Sequence, residues 1–298
     1  MSSKVPAEDV VAGVLPKGLD PDEYEIDESD GLPRQIVGEW VLHKHALLRR
    51  YVDISGVGVR KRWLANGKAG ATFTDLLAGP GRVRTRETNQ VLDGSALAAW
   101  RQSVESKAPF TQMFVADAHP VLCDAVARRL RAAGATVHAE TGPASSTVDR
   151  VLPLLDPFAL HFAFLDPFNL AALPFEVIRK LATLKRMDIL IHVSAQDINR
   201  NLRRYIKNPS SALDLFAPGW RDHADVCRPD FYVRARIVEH WRGLLKLARM
   251  DTAEAAELVT GPNNQPLYWL AFAARHPRAL EFWEKIRALE PDPQLGLL

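Results

Sequence analysis

Between residues 71 and 194 the chain alternates short apolar runs with amphipathic stretches of helical period, an order that few folds accept. The apolar runs are "ATFTDLLAG" (71–79), "TQMFVAD" (111–117), "ATVHAE" (135–140), "LHFAFLD" (160–166) and "MDILIHVS" (187–194). Between them lie "SALAAWRQSVESK" (95–107), with Ser95 as its expected cap, "PVLCDAVARRLRAAG" (120–134), which opens on proline and stops at glycine, and "PFEVIRKLATLKR" (174–186). Short apolar strands separated by helices of about 10–15 residues predict a parallel sheet with helices on both faces.

Further along, "RPDFYVRARIVEHWRGLLKLARM" (228–250) predicts a helix. The segment 257–276 predicts two strands around the turn Gly261-Pro262-Asn263-Asn264, and "PRALEFWEKIRAL" (277–289) a closing helix. Upstream, residues 37–63 read as an amphipathic helical region with Trp40, Leu47, Tyr51 and Ile54 near helical spacing. Gly56 and Gly58 are expected to weaken or break it.

The chain has 298 residues, 47% hydrophobic and 25% charged, which is ordinary globular composition. Residues 1–31 hold nine acidic side chains against two lysines, a balance of −7, which leaves +9 for residues 32–298 out of a net +2. With Pro6, Pro16, Pro21 and Pro33 interrupting any period, residues 1–33 read as an acidic, disordered tail, and residues 34–298 as one domain. The alternative for the acidic head is competition with a polyanion for the basic body. Two cysteines, Cys123 and Cys227, point to a reducing compartment and cannot build a zinc site, so no metal is expected. Neither a signal peptide nor a membrane span is legible, so the protein is expected in the cytosol.

"DLLAGPG" (75–81) ends the first strand of the alternation, where doubly wound sheets bind ligands. Gly79 and Gly81 would let backbone approach a cofactor, and Asp75 would accept a hydrogen bond from its ammonium. A tight turn after a strand needs the same glycines. No Walker lysine follows, and Arg84 stands where a dinucleotide fingerprint has its last glycine. Asp117, at the tip of the next strand, is placed to hold a ribose diol, or alternatively to cap the helix that starts at Pro120. It lies 36 residues beyond Gly81, so 82–94 reads as an insertion.

In "FAFLDPFNL" (162–170), Asp166 closes the fourth strand, and a carboxylate at the mouth of a core strand costs several kcal/mol unless something pairs with it. A substrate is one candidate partner. Asp166 and the Pro167 carbonyl would accept the hydrogens of an exocyclic amine as it attacks a sulfonium methyl, and Phe168 would contact the base. The bland reading is a strand-ending aspartate that caps the next helix, and "LDPFAL" (155–160) repeats the tripeptide elsewhere. On a helix, Arg200, Arg203, Arg204 and Lys207 fall within one arc, opposite Ile198, Leu202, Tyr205 and Ile206. Such a row would hold nucleic-acid phosphates, or would simply be solvated. His43 and His45 flank Lys44 without any triad arrangement.

Taken together, five parallel strands and a terminal hairpin predict an α/β fold: a doubly wound, mostly parallel, Rossmann-like methyltransferase sheet of about seven strands with an N-terminal helical extension. The segments "KHALLRRY" (44–51), "DLLAGPG" (75–81), "DGSALAA" (93–99), "FLDPFNLAALPFEVIRKLATLKRMDILI" (164–191), "INRNL" (198–202) and "PLYWLAFAARHPRALEFWEKI" (266–286) resemble the bacterial three-Cys-motif partner (TcmP) family. That family more often reads "DLFAGPG" and "DPFG", where this chain has Leu77 and Asn169. The resemblance implies a methyltransferase-like fold and partnership with a separate three-cysteine protein of the radical-SAM type. With the motifs, it points to an S-adenosylmethionine-dependent methyltransferase acting on DNA or RNA. The alternative is a catalytically silent nucleic-acid-binding or scaffold partner.

Overall fold

The computed structural model describes residues 15–253, 257–260 and 266–288. In chain order the elements begin with β1 (Tyr24–Ile26), β2 (Pro33–Val37), α1 (Trp40–Ser55), α2 (Lys61–Ala65), β3 (Ala71–Asp75), β4 (Arg82–Thr85), β5 (Val91–Asp93) and α3 (Ser95–Glu105). They continue with β6 (Gln112–Asp117), α4 (Pro120–Ala132), β7 (Val137–Thr141), α5 (Ala144–Val151), β8 (Leu160–Leu165), α6 (Phe175–Leu181) and β9 (Met187–Val193). Last come α7 (Ala195–Lys207), α8 (Ala212–Phe216), α9 (Asp230–Leu247), β10 (Asp251–Thr252), β11 (Glu257–Thr260), β12 (Pro266–Ala274) and α10 (Pro277–Arg287).

The main sheet runs β7-β6-β3-β8-β9-β12, with β10 and β11 both on the outer side of β12. Because β10 and β11 pair with successive parts of β12, the sheet has seven positions. The five strands from β7 to β9 are parallel, and β12 runs antiparallel to β9. This is the doubly wound methyltransferase arrangement expected from the sequence, with β3 at its centre and the chain reversing direction across it. All five residues of β3 are buried, as a strand covered on both faces requires.

Side chains alternate between two cores. Phe73, Val115, Phe162, Phe164 and Phe272 pack on one face with Leu48 and Tyr51 of α1 and Trp283 of α10. Phe114, Ala163, Leu165, Ile189 and Ile191 pack on the other, against α5 to α9. That period of two places a whole strand face in each layer. The N-terminal helical region is therefore one of the covering helices, packed on α3 and α10.

The structure corrects several expectations. Residues 15–33 are not a tail: β1 pairs antiparallel with β2, and β4 and β5 extend them into a separate four-stranded sheet. The presumed insertion 82–94 is thus half of that sheet. Its joint is electrostatic, since Glu25 meets Arg34 and Arg84, Asp27 meets Arg82, and Asp30 meets Arg129. The acidic head therefore neutralises arginines of its own chain. Ser95 does not cap α3; Gly94 occupies that position. Gly56 and Gly58 do not break the helix either: the chain continues through a π turn (Gly56–Arg60). A Cβ on Gly58 would lie 2.6 Å from the Phe282 ring, so close packing explains that glycine. β11 and β12 pair antiparallel as expected, and the turn 261–264 lies outside the described residues.

Candidate functional site

The carboxyl ends of β3, β6 and β8 form one rim, and the glycine turn sits at its middle. After Asp75 the chain turns back through Gly79 (φ +55) and Gly81 (φ +82), both left-handed and so suited to glycine. A Cβ on Gly81 would stand 2.9 Å from Val126 Cγ2 and 3.1 Å from Val126 Cα, because the turn lies directly on α4. Arg129, in the last turn of α4, is buried and fixes the glycine turn from below by donating to the Pro80 carbonyl at 2.8 Å.

Asp117 ties the turn to the neighbouring strand. Its Oδ2 accepts from the Gly79 amide at 3.0 Å and its Oδ1 from the His119 amide at 2.8 Å. Partial burial pushes its carboxyl up. Burial and then the Asp117 charge push the Tyr24 hydroxyl of β1 up to about 12. Each carboxylate oxygen carries two lone pairs, so Asp117 keeps capacity for further donors.

Asp75 corrects the sequence reading. It is fully buried, with Oδ2 accepting from Ser95 Oγ at 2.5 Å and Oδ1 from the Leu77 amide at 3.1 Å. Burial raises its carboxyl to about 7, and the Asp166 and Asp117 charges add to the rise. It braces the turn from within and has no surface open to a ligand.

The partner that Asp166 requires is Lys44, which reaches it from α1 in a direct ion pair. His192, from β9, stands 3.6 Å from the other oxygen. Burial would raise the Asp166 carboxyl, but Lys44 and then His192 outweigh it, so the group lies below its ordinary value. Burial lowers His192 to about 4, so at neutral pH its ring is neutral. Its Nδ1 lies 3.1 Å from the Pro167 carbonyl, which makes Nδ1–H the donor and assigns the tautomer. Tyr268 packs on His192 at 4.4 Å between ring centroids, donates to the Trp40 carbonyl, and lies 5.7 Å from Lys44 Nζ. The expected free acceptor pair, Asp166 and the Pro167 carbonyl, is thus already engaged by Lys44 and His192. Phe168 is 83% exposed.

On α7, Arg200, Arg203, Arg204 and Lys207 are all exposed, while Ile198, Leu202 and Tyr205 are buried and Ile206 partly so. Arg203 pairs with Asp230 of α9. The first turn of α7 is anchored to the rim by Asp197, which accepts from the Leu170 amide at 2.8 Å. The structure therefore brings together Gly79, Gly81, Asp117 and Asp166, with Asp75 beneath, and carries the basic face away down α7.

Sequence reasoning missed Lys44, His192 and Tyr268. Each belongs to a regular element whose pattern accounts for it, and only tertiary packing assembles them. The one available signal was the demand of Asp166 for a partner.

No family model and no curated protein matches this sequence. Among solved structures, the chain is similar to an O-methyltransferase from Bacillus cereus in complex with SAH, at 12% identity over 78% of this chain and 80% of that one, TM-score 0.45. It is also similar to TYW2 from M. jannaschii in complex with AdoMet, at 8% identity over 84% and 85% of the two chains, TM-score 0.42. A third likeness is to Trm5b from Pyrococcus abyssi, at 9% identity over 85% of this chain and 56% of that one, TM-score 0.39. The order and direction of the strands themselves identify the doubly wound methyltransferase-like fold.

Proposed function

We propose that this chain binds S-adenosylmethionine along the carboxyl rim and transfers its methyl group to an amino group of a nucleic-acid base. The observation that carries the reading is the left-handed glycine turn at the end of the central strand, bonded to an acidic residue at the next strand tip. Partly exposed backbone at Gly79 and the spare lone pairs of Asp117 fit the methionine end and the ribose diol of such a cofactor. When bound, the cofactor would supply an electrophilic methyl on sulfur. Lys44 would keep Asp166 ionised, and Asp166 would accept a hydrogen of the attacking amine and stabilise the charge developing there. Phe168 would offer the base a face, and the basic side of α7 would hold phosphates.

A second reading has its own support. Lys44 and His192 each already engage one of the acceptors that an amine would use, as in a chain that keeps the fold and has lost transfer. In that case it would act as a nucleic-acid-binding or scaffold partner, and the resemblance to the three-Cys-motif partner family names a cysteine-rich radical-SAM-type protein as the other member.

Calorimetry with S-adenosylmethionine separates the two. Saturable binding that is lost in Asp117→Ala supports the first reading, and no heat at millimolar cofactor refutes it. With binding established, Asp166→Asn should abolish transfer while leaving cofactor affinity within about twofold, and Phe168→Ala should weaken substrate binding alone.

A further inference from the structure

The opposite edge of the sheet, where the parallel strands begin, holds a cavity of about 350 Å³. It lies among the starts of β3, β8 and β9, the π turn and the first residues of α10, well apart from the carboxyl rim. Its size lies in the usual range for small-molecule sites, roughly 300–1,000 Å³.

Three features define what it would accept. First, flat apolar walls are supplied by Phe110, Phe162 and Phe282. Second, it is lined by Arg60, Lys185, Arg186, Arg275 and Arg278, none of which makes an ion pair among the described residues. Arg60 lies over Phe110 at 4.2 Å and donates to the Val52 and Ala108 carbonyls; Arg186 lies over Trp63 at 5.0 Å. The Nε of Arg275 is buried without a hydrogen-bond partner. Third, the single carboxylate in the lining is Asp188, whose Oδ2 accepts from Tyr51 at 2.6 Å while Oδ1 has no partner among the described residues. Such a surplus of unpaired cations favours an anion, and the carboxylate acceptor at its floor favours a ligand that also carries N–H donors.

We propose that this cavity is a second binding site, for a purine mononucleotide whose ring lies against the phenylalanines, whose N–H edge meets Asp188 and whose phosphate is held by Lys185 and Arg278. The site is independent of methyl transfer. Burial raises the Asp188 carboxyl to about 7, so a ligand that needs the ionised form binds more tightly as pH rises through that value.

The probes are GMP, AMP, guanosine and inorganic phosphate, titrated calorimetrically into the full chain. Guanine offers two adjacent N–H donors and matches a carboxylate, whereas adenine offers a donor beside an acceptor and matches an amide. The wild-type chain should therefore prefer GMP to AMP. Asp188→Asn should narrow or reverse that preference by about tenfold or more, which a merely structural role for Asp188 would not do. Lys185→Gln and Arg278→Gln change exposed residues, so they test the phosphate contact without risk to folding, and each should weaken GMP severalfold. Three results would overturn the proposal: no binding of either nucleotide at millimolar concentration, guanosine binding as well as GMP, or GMP affinity unmoved by all three substitutions.

Discussion

Replacing Arg129 of α4 with alanine should be among the most damaging changes available where the small sheet meets the main layer. Its side chain is 4% exposed and forms a fork with Asp30, with both nitrogen–oxygen distances at 2.8 Å. The same guanidinium donates to the carbonyls of Pro33 at 2.7 Å and Pro80 at 2.8 Å, and lies 3.9 Å from the nearly buried Asp27. Removing one member of a buried ion pair costs about 3–5 kcal/mol. Asp30 is 28% exposed and recovers part of that in water. Two carbonyls left without a donor add about 1–3 kcal/mol each when fully desolvated. Allowing for overlap, the loss should be about 4–6 kcal/mol, a large share of the roughly 5–15 kcal/mol that holds a typical domain folded. Arg129→Lys keeps the charge but cannot reproduce the fork, and should fall about midway. Urea denaturation followed by circular dichroism reads the effect as a lower midpoint at constant slope. A loss below about 1 kcal/mol, the level of an exposed ion pair, would refute the view that this arginine joins the two sheets.

Gly81→Ala should cost about 2 kcal/mol or more, from a strained positive φ and the contact with Val126, measured by the same denaturation curve. Lys44→Met should destabilise by about 2–3 kcal/mol, less than for a fully buried pair because Asp166 is 21% exposed, and should move the Asp166 carboxyl upward in an NMR titration. Asp75 binds its proton up to about pH 7 when folded but releases it near 3.8 when unfolded, so its contribution to stability falls as pH rises from about 4 to about 7. Asp75→Asn should remove that decline, seen as a wild-type minus variant difference that changes over this window and is flat above it.

The layered α/β core was legible because its signals are local. β8 and β9 are apolar runs too short for helices, and α4 carries its own punctuation in Pro120 and Gly134. The glycine turn and the aspartate tips were legible for the same reason, since strand ends fall on one edge once the sheet is parallel. The four-stranded sheet was hidden because β1, β4 and β5 are three or four residues long and rich in charge, so no periodic apolar pattern marks them. Their charges are met by residues of other elements, Glu25 by Arg84 and Asp93 by Arg101, as Asp30 beside them is met by Arg129 of α4. Asp75 misled for a related reason: nothing local says that Ser95, twenty residues on, takes the oxygen a ligand would have used. Asp166 was read as needing a partner, and it has one, but the partner sits on a helix 122 residues earlier.

Helix α1 answers one carboxylate at each border of the main sheet, Lys44 meeting Asp166 and Tyr51 meeting Asp188. Seven residues separate the two, about two turns and 10 Å along a common stripe. The helix is therefore pinned at two points on one rigid rod. A slip by a single residue, about 1.5 Å, would unseat both contacts together, so the two borders gauge each other through its axial position.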